Sequence, residues 1–309
     1  MSVITLLVTG DPKAPYLKAL DRLPTGTHII ASADPEVLAR AAPEADAILN
    51  GEFKDPQLLK STFPLATRVR WIHSPAAGVE RVLSPEIVAS PVPMTNGKGV
   101  FARPLAEWIV GMMVYFCYDL PRVLRGQVER RWEPFEHGEL YGQTLGIIGF
   151  GGIGRATGER AQAFGMKILP LRRNDAAHRN EVLAECDYIA VTAPLTPETR
   201  GMIGLAQFAV MKPSAVIINV GRGAVIDEGA LVAALETHQI RGAALDVFAT
   251  EPLPAGHSFY RMENVVVSPH TADNLPDSRD QAIQFFVENF ERFCKGEPLQ
   301  NLVDKHAGY

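Results

Sequence analysis

The sequence predicts an α/β protein made of two doubly wound, parallel-sheet halves, and three observations carry that prediction. At roughly 100–200 residues per domain, a chain of 309 residues, 47% of them hydrophobic, has length and apolar material for two cores. Short apolar runs alternate with helical spacing twice, once before residue 100 and again from Thr144. Such alternation is the pattern of a parallel sheet covered by helices. A glycine-rich turn, Gly149-Phe150-Gly151-Gly152-Ile153-Gly154, then opens the second series between a predicted strand and a predicted helix.

In the first series, Val3–Val8, His28–Ile30, Ala47–Leu49, Val69–Ile72 and Val92–Thr95 read as strands, each bounded by Gly, Pro, Asp or Asn. Tyr16–Leu23, Pro35–Ala42 and Pro56–Thr62 have helical spacing, two of them with Pro in the first turn, where its missing N–H costs nothing. Phe101–Leu120 is apolar on most faces (Leu105, Trp108, Ile109, Met112, Met113, Val114, Phe116). A helix of that kind is buried, and its position in the chain places it between two domains. Pro121–Gly142, rich in Arg, Glu and Pro, reads as a surface connector. Leu145–Ile148, Lys167–Leu171, Tyr188–Ala193, Val216–Val220, Gly242–Leu245 and Val265–Ser268 are the strands of the second series. Its helices include Arg155–Phe164 and Asp227–Glu236, the latter opened by an Asp cap, and a last helix runs from about Pro276 to Lys295.

Thirty basic and 35 acidic residues give a formal charge of −5 without a basic stripe, which argues against nucleic acid or an anionic membrane as partner. Cys117, Cys186 and Cys294 are scattered with no CxxC spacing, as expected in a reducing compartment and without a metal site. Ser2–Val8 is too short and lacks the basic flank of a signal peptide, and no run approaches 18 apolar residues. The expectation is a cytoplasmic protein.

Glycines placed as Gly149, Gly151, Gly152 and Gly154 allow a tight turn and the approach of a pyrophosphate to a helix N-terminus, with Ile153 in the same turn. The next strand should end in the residue that reads the adenosine ribose. NAD sites place Asp or Glu there to accept from the 2′-hydroxyl, whereas here Lys167–Leu171 ends in Arg172-Arg173. Guanidinium groups bond a 2′-phosphate bidentately, so the cofactor expected is NADPH, with NADH as the alternative. Beyond it, Arg222, Glu251 and His270 each follow a predicted strand. Carboxyl ends of strands line the ligand crevice of such a sheet, so the three converge beside the reactive end of a dinucleotide.

Arg222 in Asn-Val-Gly-Arg-Gly, Glu251 in Asp-Val-Phe-Ala-Thr-Glu-Pro and His270 in Ser-Pro-His resemble the catalytic signature of the D-isomer-specific 2-hydroxyacid dehydrogenases. The segments Glu139–Gly149, Cys186–Thr199 and Gly296–Asn301 are similar to the same family. That resemblance implies two Rossmann-like domains with the active site in the cleft. Residues 1–98 with 281–309 would form a substrate-binding lid domain, and residues 99–280 the dinucleotide-binding domain of a homodimer. It also implies cofactor contacts from Ala193, Pro194, Thr199, Val220, Gly221 and Asp246 beside Arg222 and His270, and a substrate carboxylate held by the amides of Ala77 and Gly78. Asn96 is expected at the cleft, Lys98 in solvent, and Glu52, Phe53, Trp71 and His73 among the lid residues around the substrate. Lys98 and Asp273 depart from the commoner family pattern.

The function implied is hydride transfer from NADPH to small 2-keto acids, glyoxylate and hydroxypyruvate foremost. His270 would act as general acid, Arg222 would polarise the ketone, and Glu251 would raise the His270 pKa. Alternatives are 3-phosphoglycerate dehydrogenase, D-lactate dehydrogenase and a non-catalytic dinucleotide-sensing binding protein. The first is disfavoured by the lack of room for a regulatory domain after Asn301, the second by the missing acidic ribose reader.

Overall fold

A computed structural model describes residues 3–53 and 55–309. The chain forms two compact units, one of residues up to Phe101 together with Leu275–Tyr309, the other Ala102–Asn274. These divisions differ from the expected 98/99 and 280/281. The C-terminal helix Ser278–Lys295 is continuous, so it joins the first unit whole.

The first unit holds β1 (Thr5–Thr9), β2 (His28–Ser32), β3 (Ala47–Asn50), β4 (Trp71–Ser74) and β5 (Met94–Asn96) in the order β2-β1-β3-β4-β5, all parallel. Both faces of this sheet are covered, which is why its strands are near-continuous apolar runs. Leu7, Ile48 and Ile72 point to the side of α1 (Pro35–Ala41), α2 (Gln57–Thr62) and α3 (Pro85–Ala89). Their neighbours Leu6, Val8, Leu49 and Trp71 point to Phe286 and Phe290 of the C-terminal helix. The stretch with helical spacing at Tyr16–Leu23 is a 3-10 helix, Pro15–Arg22, and α3 is an addition to the predicted elements. The predicted strands Val69–Ile72 and Val92–Thr95 each start two residues late, at Trp71 and Met94.

Trp71 and His73, expected around the substrate, lie in this core with no exposed surface. Trp71 stacks on Phe286 at 5.2 Å between ring centroids and donates to Thr95 Oγ1 at 2.9 Å. The His73 Nδ1 lies 2.7 Å from the same hydroxyl. Burial pushes the His73 pKa down to about 3, so the ring is neutral and serves packing.

In the second unit, α4 (Ala102–Cys117) packs along α6 (Gly152–Ala163). The single helix expected to Leu120 is broken: Asp119 adopts a left-handed φ of 47°, and α5 (Leu120–Val128) begins with Pro121 in its first turn. Part of the expected surface connector is therefore helical. The sheet comprises β6 (Thr144–Ile148), β7 (Lys167–Leu171), β8 (Tyr188–Val191), β9 (Val216–Asn219), β10 (Gly242–Leu245) and β11 (Val265–Val267). Its order is β11-β10-β9-β8-β6-β7, again wholly parallel, with α7 (Arg179–Glu185), α8 (Leu205–Phe208) and α9 (Glu228–Glu236) among the connections. The winding reverses between β6 and β8, which opens a crevice at their carboxyl ends. Among the described residues, no helix is long and apolar enough to cross a membrane.

Candidate active site

The glycine turn leaves β6 at the point of reversal. Gly149 has φ +91°, and a Cβ there would stand 2.6 Å from the Ala193 backbone in the loop after β8. A glycine is therefore required for the two loops to close on each other. The first turn of α6 follows, with Gly151 as its cap and open space where the Gly151 Cβ would be. A turn clear of side chains, leading into the free N–H groups of a helix, fits the pyrophosphate of a dinucleotide. Arg172, at the end of β7, lays its guanidinium over the Phe150 ring of this turn at 5.6 Å, and Arg173 lies 3.8 Å from Glu198. The Ala193-Pro194 segment continues into a turn closed on itself, in which the Thr199 hydroxyl donates to Pro194 O at 2.7 Å and accepts from Thr196 N at 2.7 Å. Thr199 thus shapes the loop with its side chain.

Successive strands then present Arg222, Glu251 and His270. Asn219, 1% exposed at the end of β9, accepts from Gly221 N at 3.0 Å and donates to Arg222 O at 3.1 Å, bracing Val220–Arg222. Arg222 donates to Gly221 O at 2.7 Å. At Gly223 a Cβ would lie 1.9 Å from the Phe248 carbonyl carbon, so this glycine lets the β9 loop press against the β10 loop. There the Glu251 carboxylate accepts from Phe248 N at 3.0 Å through one oxygen and meets His270 Nδ1 at 2.8 Å through the other.

His270 has a left-handed backbone, φ 54°, uncommon for a side chain with a Cβ. Asp246, 1% exposed at the end of β10, holds that loop: its Oδ1 accepts from Ser268 Oγ at 2.6 Å, Thr271 N at 2.9 Å and Ala272 N at 3.1 Å. The hydrogen bond to Glu251 raises the His270 pKa, desolvation opposes it, and the nearby carboxylates add to the rise. The pair orients the imidazole through Nδ1 and leaves Nε2 to exchange a proton.

In the first unit, the loop after β4 carries Ala77 and Gly78. Asn96, 3% exposed at the end of β5, donates through Nδ2 to Ala77 O at 2.7 Å and accepts from Lys98 N at 3.2 Å. Fixing the Ala77 carbonyl also fixes the Gly78 N–H of the same planar peptide. Among the described residues, neither Ala77 N–H nor Gly78 N–H donates to a protein acceptor, so both remain available to an anion. Lys98 is exposed. Asn96, Asn219 and Asp246 share one signal: a short polar side chain at the last residue of a strand or just past it, suited to bonding the backbone of the turn that follows.

Two doubly wound sheets, a dinucleotide turn and a Glu-braced histidine define a nicotinamide-dependent oxidoreductase. The second unit also matches the sequence profile described as "D-isomer specific 2-hydroxyacid dehydrogenase, NAD binding domain" over residues 110–272. The chain is 32% identical to a glyoxylate reductase of Korarchaeum cryptofilum over 88% of its own length and 86% of that protein's. It is 29% identical to a D-3-phosphoglycerate dehydrogenase of Methanocaldococcus jannaschii, covering 98% of this chain and 60% of that longer one. Among solved structures, an NADPH-dependent glyoxylate/hydroxypyruvate reductase of Sinorhizobium meliloti in complex with NADP and sulfate superposes with a TM-score of 0.86. That structure is 28% identical and covers 99% of this chain and 100% of its own. The chain belongs to the D-isomer-specific 2-hydroxyacid dehydrogenase family and is an oxidoreductase acting on CH–OH groups with a nicotinamide cofactor.

Proposed function

We propose that this enzyme reduces small 2-keto acids, glyoxylate and hydroxypyruvate, with NADPH to D-2-hydroxy acids, with His270 as general acid. The observation that carries the reading is the 2.8 Å contact of His270 Nδ1 with Glu251 on the sheet edge that also bears the glycine turn. Hydride delivery to the ketone carbon develops negative charge on its oxygen. A protonated His270 neutralises that charge by proton transfer, and the Arg222 guanidinium polarises the ketone and helps to hold the substrate carboxylate. The amides of Ala77 and Gly78 take the carboxylate. Arg172 and Arg173 take the 2′-phosphate, and Gly149 to Gly154 the pyrophosphate. Val220 and Gly221 line the nicotinamide end beside Arg222 and His270. Ala193 and Pro194 wall the adenine side, with Thr199 and Asp246 shaping the loops around the cofactor. The first unit serves as the substrate-binding domain and the second as the cofactor domain. The proposed assembly is a cytoplasmic homodimer, supported by three free cysteines and by the exposed Leu124, Val128 and Trp132 on the cofactor unit.

Oxidation of NADPH and NADH by the purified protein, with glyoxylate or hydroxypyruvate, tests the reading. Turnover selective for NADPH is expected, and binding of either cofactor without turnover of either acid would refute it. The pH dependence follows from the sign of the His270 shift. Reduction needs the imidazolium, so kcat/KM for the keto acid holds at low pH and declines as pH rises through a pKa above the ordinary histidine value of about 6.5. Oxidation of the hydroxy acid needs the neutral ring and rises through the same range. A flat reductive profile across neutral pH would exclude His270 as the proton donor.

A further inference from the structure

The first sheet reverses its winding between β1 and β3, so it has a switch-point crevice of its own at the loops Gly10-Asp11 and Gly51–Phe53. Tyr16 spans it, its hydroxyl donating to Gly51 O at 3.0 Å and its ring meeting the Phe53 ring edge-on at 5.4 Å. Arg279, in the first turn of the C-terminal helix, lays its guanidinium 5.4 Å from the Tyr16 centroid and 5.7 Å from that of Phe53. Arg279 is exposed, and among the described residues its guanidinium bonds no carboxylate, carbonyl or hydroxyl, so its N–H donors face solvent and are open to a ligand. Glu52, in the same loop as Phe53, is half-buried, with Oε1 3.4 Å from Asp11 N. Burial pushes the Tyr16 pKa up, Glu52 and Asp11 add to the rise, and Arg279 opposes it.

Resting on the reductase reading above, we infer that Arg279 and Glu52, walled by Tyr16 and Phe53, form the subsite for a hydroxyl group on C3 of the substrate. β3 is hydrogen-bonded to β4, with Leu49 opposite His73. Neighbouring strands stand about 4.8 Å apart, so a keto acid whose carboxylate rests on the Ala77–Gly78 amides has its remaining carbons within reach of the next loop, Gly51–Phe53. A guanidinium and a carboxylate at one crevice offer donors and an acceptor together, which is what a hydroxyl needs. Glu52 and Asp11 meet across the same crevice, and two carboxylates there disfavour a phosphate or a second carboxylate as ligand. An alkyl group would fill the space between the rings but leave the guanidinium desolvated and unpaired.

The test is steady-state reduction with NADPH of hydroxypyruvate, of 2-oxobutanoate (the same size, with methyl in place of hydroxyl) and of glyoxylate, which has no C3. Arg279→Met keeps a flexible stem on the rings and removes the donors. Its preference for hydroxypyruvate over 2-oxobutanoate in kcat/KM is expected to fall about tenfold or more, with glyoxylate changed by less than about twofold, and Arg279→Lys to recover part of the loss. An unchanged preference, or an equal loss on all three acids, overturns the subsite while leaving the reductase standing. A wild-type protein inert toward all three overturns the reductase reading, and the subsite falls with it.

Discussion

His270→Asn is expected to lower kcat for reduction by about a hundredfold to ten-thousandfold, the range that a positioned acid supplies, with the Kd for NADPH nearly unchanged. Asparagine is the informative replacement because it tolerates the left-handed backbone at this position, φ 54°, better than residues that cannot bond locally. The loop itself is anchored by three hydrogen bonds to buried Asp246, none of which involves the imidazole. The loss therefore reports proton transfer and not collapse of the site. Glu251→Gln provides the companion result. The hydrogen bond that His270 donates to Glu251 is the largest cause of the raised His270 pKa, so the neutral amide should move the fall of the reductive profile to lower pH, with a smaller loss of kcat at acid pH. Cofactor titration by fluorescence and a stopped-flow single turnover separate binding from chemistry. A His270→Asn protein that turns over within a few-fold of the wild type would remove the histidine from the reaction. The same variant tests a dinucleotide-sensing role, in which cofactor binding would persist with no chemistry to lose.

Much of this site is legible in the amino-acid sequence because its chemistry needs particular residue types at strand ends. Gly149 has to be glycine for the turn after β6 to meet the loop after β8, and Arg222, Glu251 and His270 stand at three successive carboxyl ends, with Glu251 and His270 in direct contact. A linear pattern misplaces Trp71 and His73 for a physical reason. Polar or aromatic residues at a strand end look like ligand contacts, but a partner distant in the chain decides whether they face a helix. Here Phe286 closes over Trp71 and His73, and Thr95 takes up a polar atom of each. The break at Asp119 is hidden because apolar spacing continues across it, and only the backbone reversal shows that the helix ends. The braces are visible as residues and not as roles. Asn96, Asn219 and Asp246 each bond the backbone of the loop that carries a candidate group, and nothing in a linear pattern says which amide or carbonyl will be met. The Arg279 crevice needs both ends of the chain, since its rings come from Tyr16 and Phe53 and its cation from the C-terminal helix.

Arg172→Ala is expected to lower kcat/KM for NADPH about tenfold to several hundredfold, the worth of one or two charged hydrogen bonds, and to leave kcat/KM for NADH nearly unchanged. The argument is one of position. A ribose reader must stand at the end of β7, next to the glycine turn that holds the pyrophosphate, and Arg172 is there with its guanidinium over Phe150 of that turn. The ring keeps the cation near the turn without neutralising it. Arg173 differs, since Glu198 lies 3.8 Å from its guanidinium and offsets its charge. Arg173→Ala should therefore cost NADPH less than Arg172→Ala does. Because the contact is exposed and ionic, raising the salt concentration should weaken NADPH binding more than NADH binding in the wild type, and that difference should shrink in Arg172→Ala. Equal losses with the two cofactors would mean that Arg172 steadies the turn and does not read the 2′-phosphate. NADPH preference would then have to come from Arg173, whose own variant would show it.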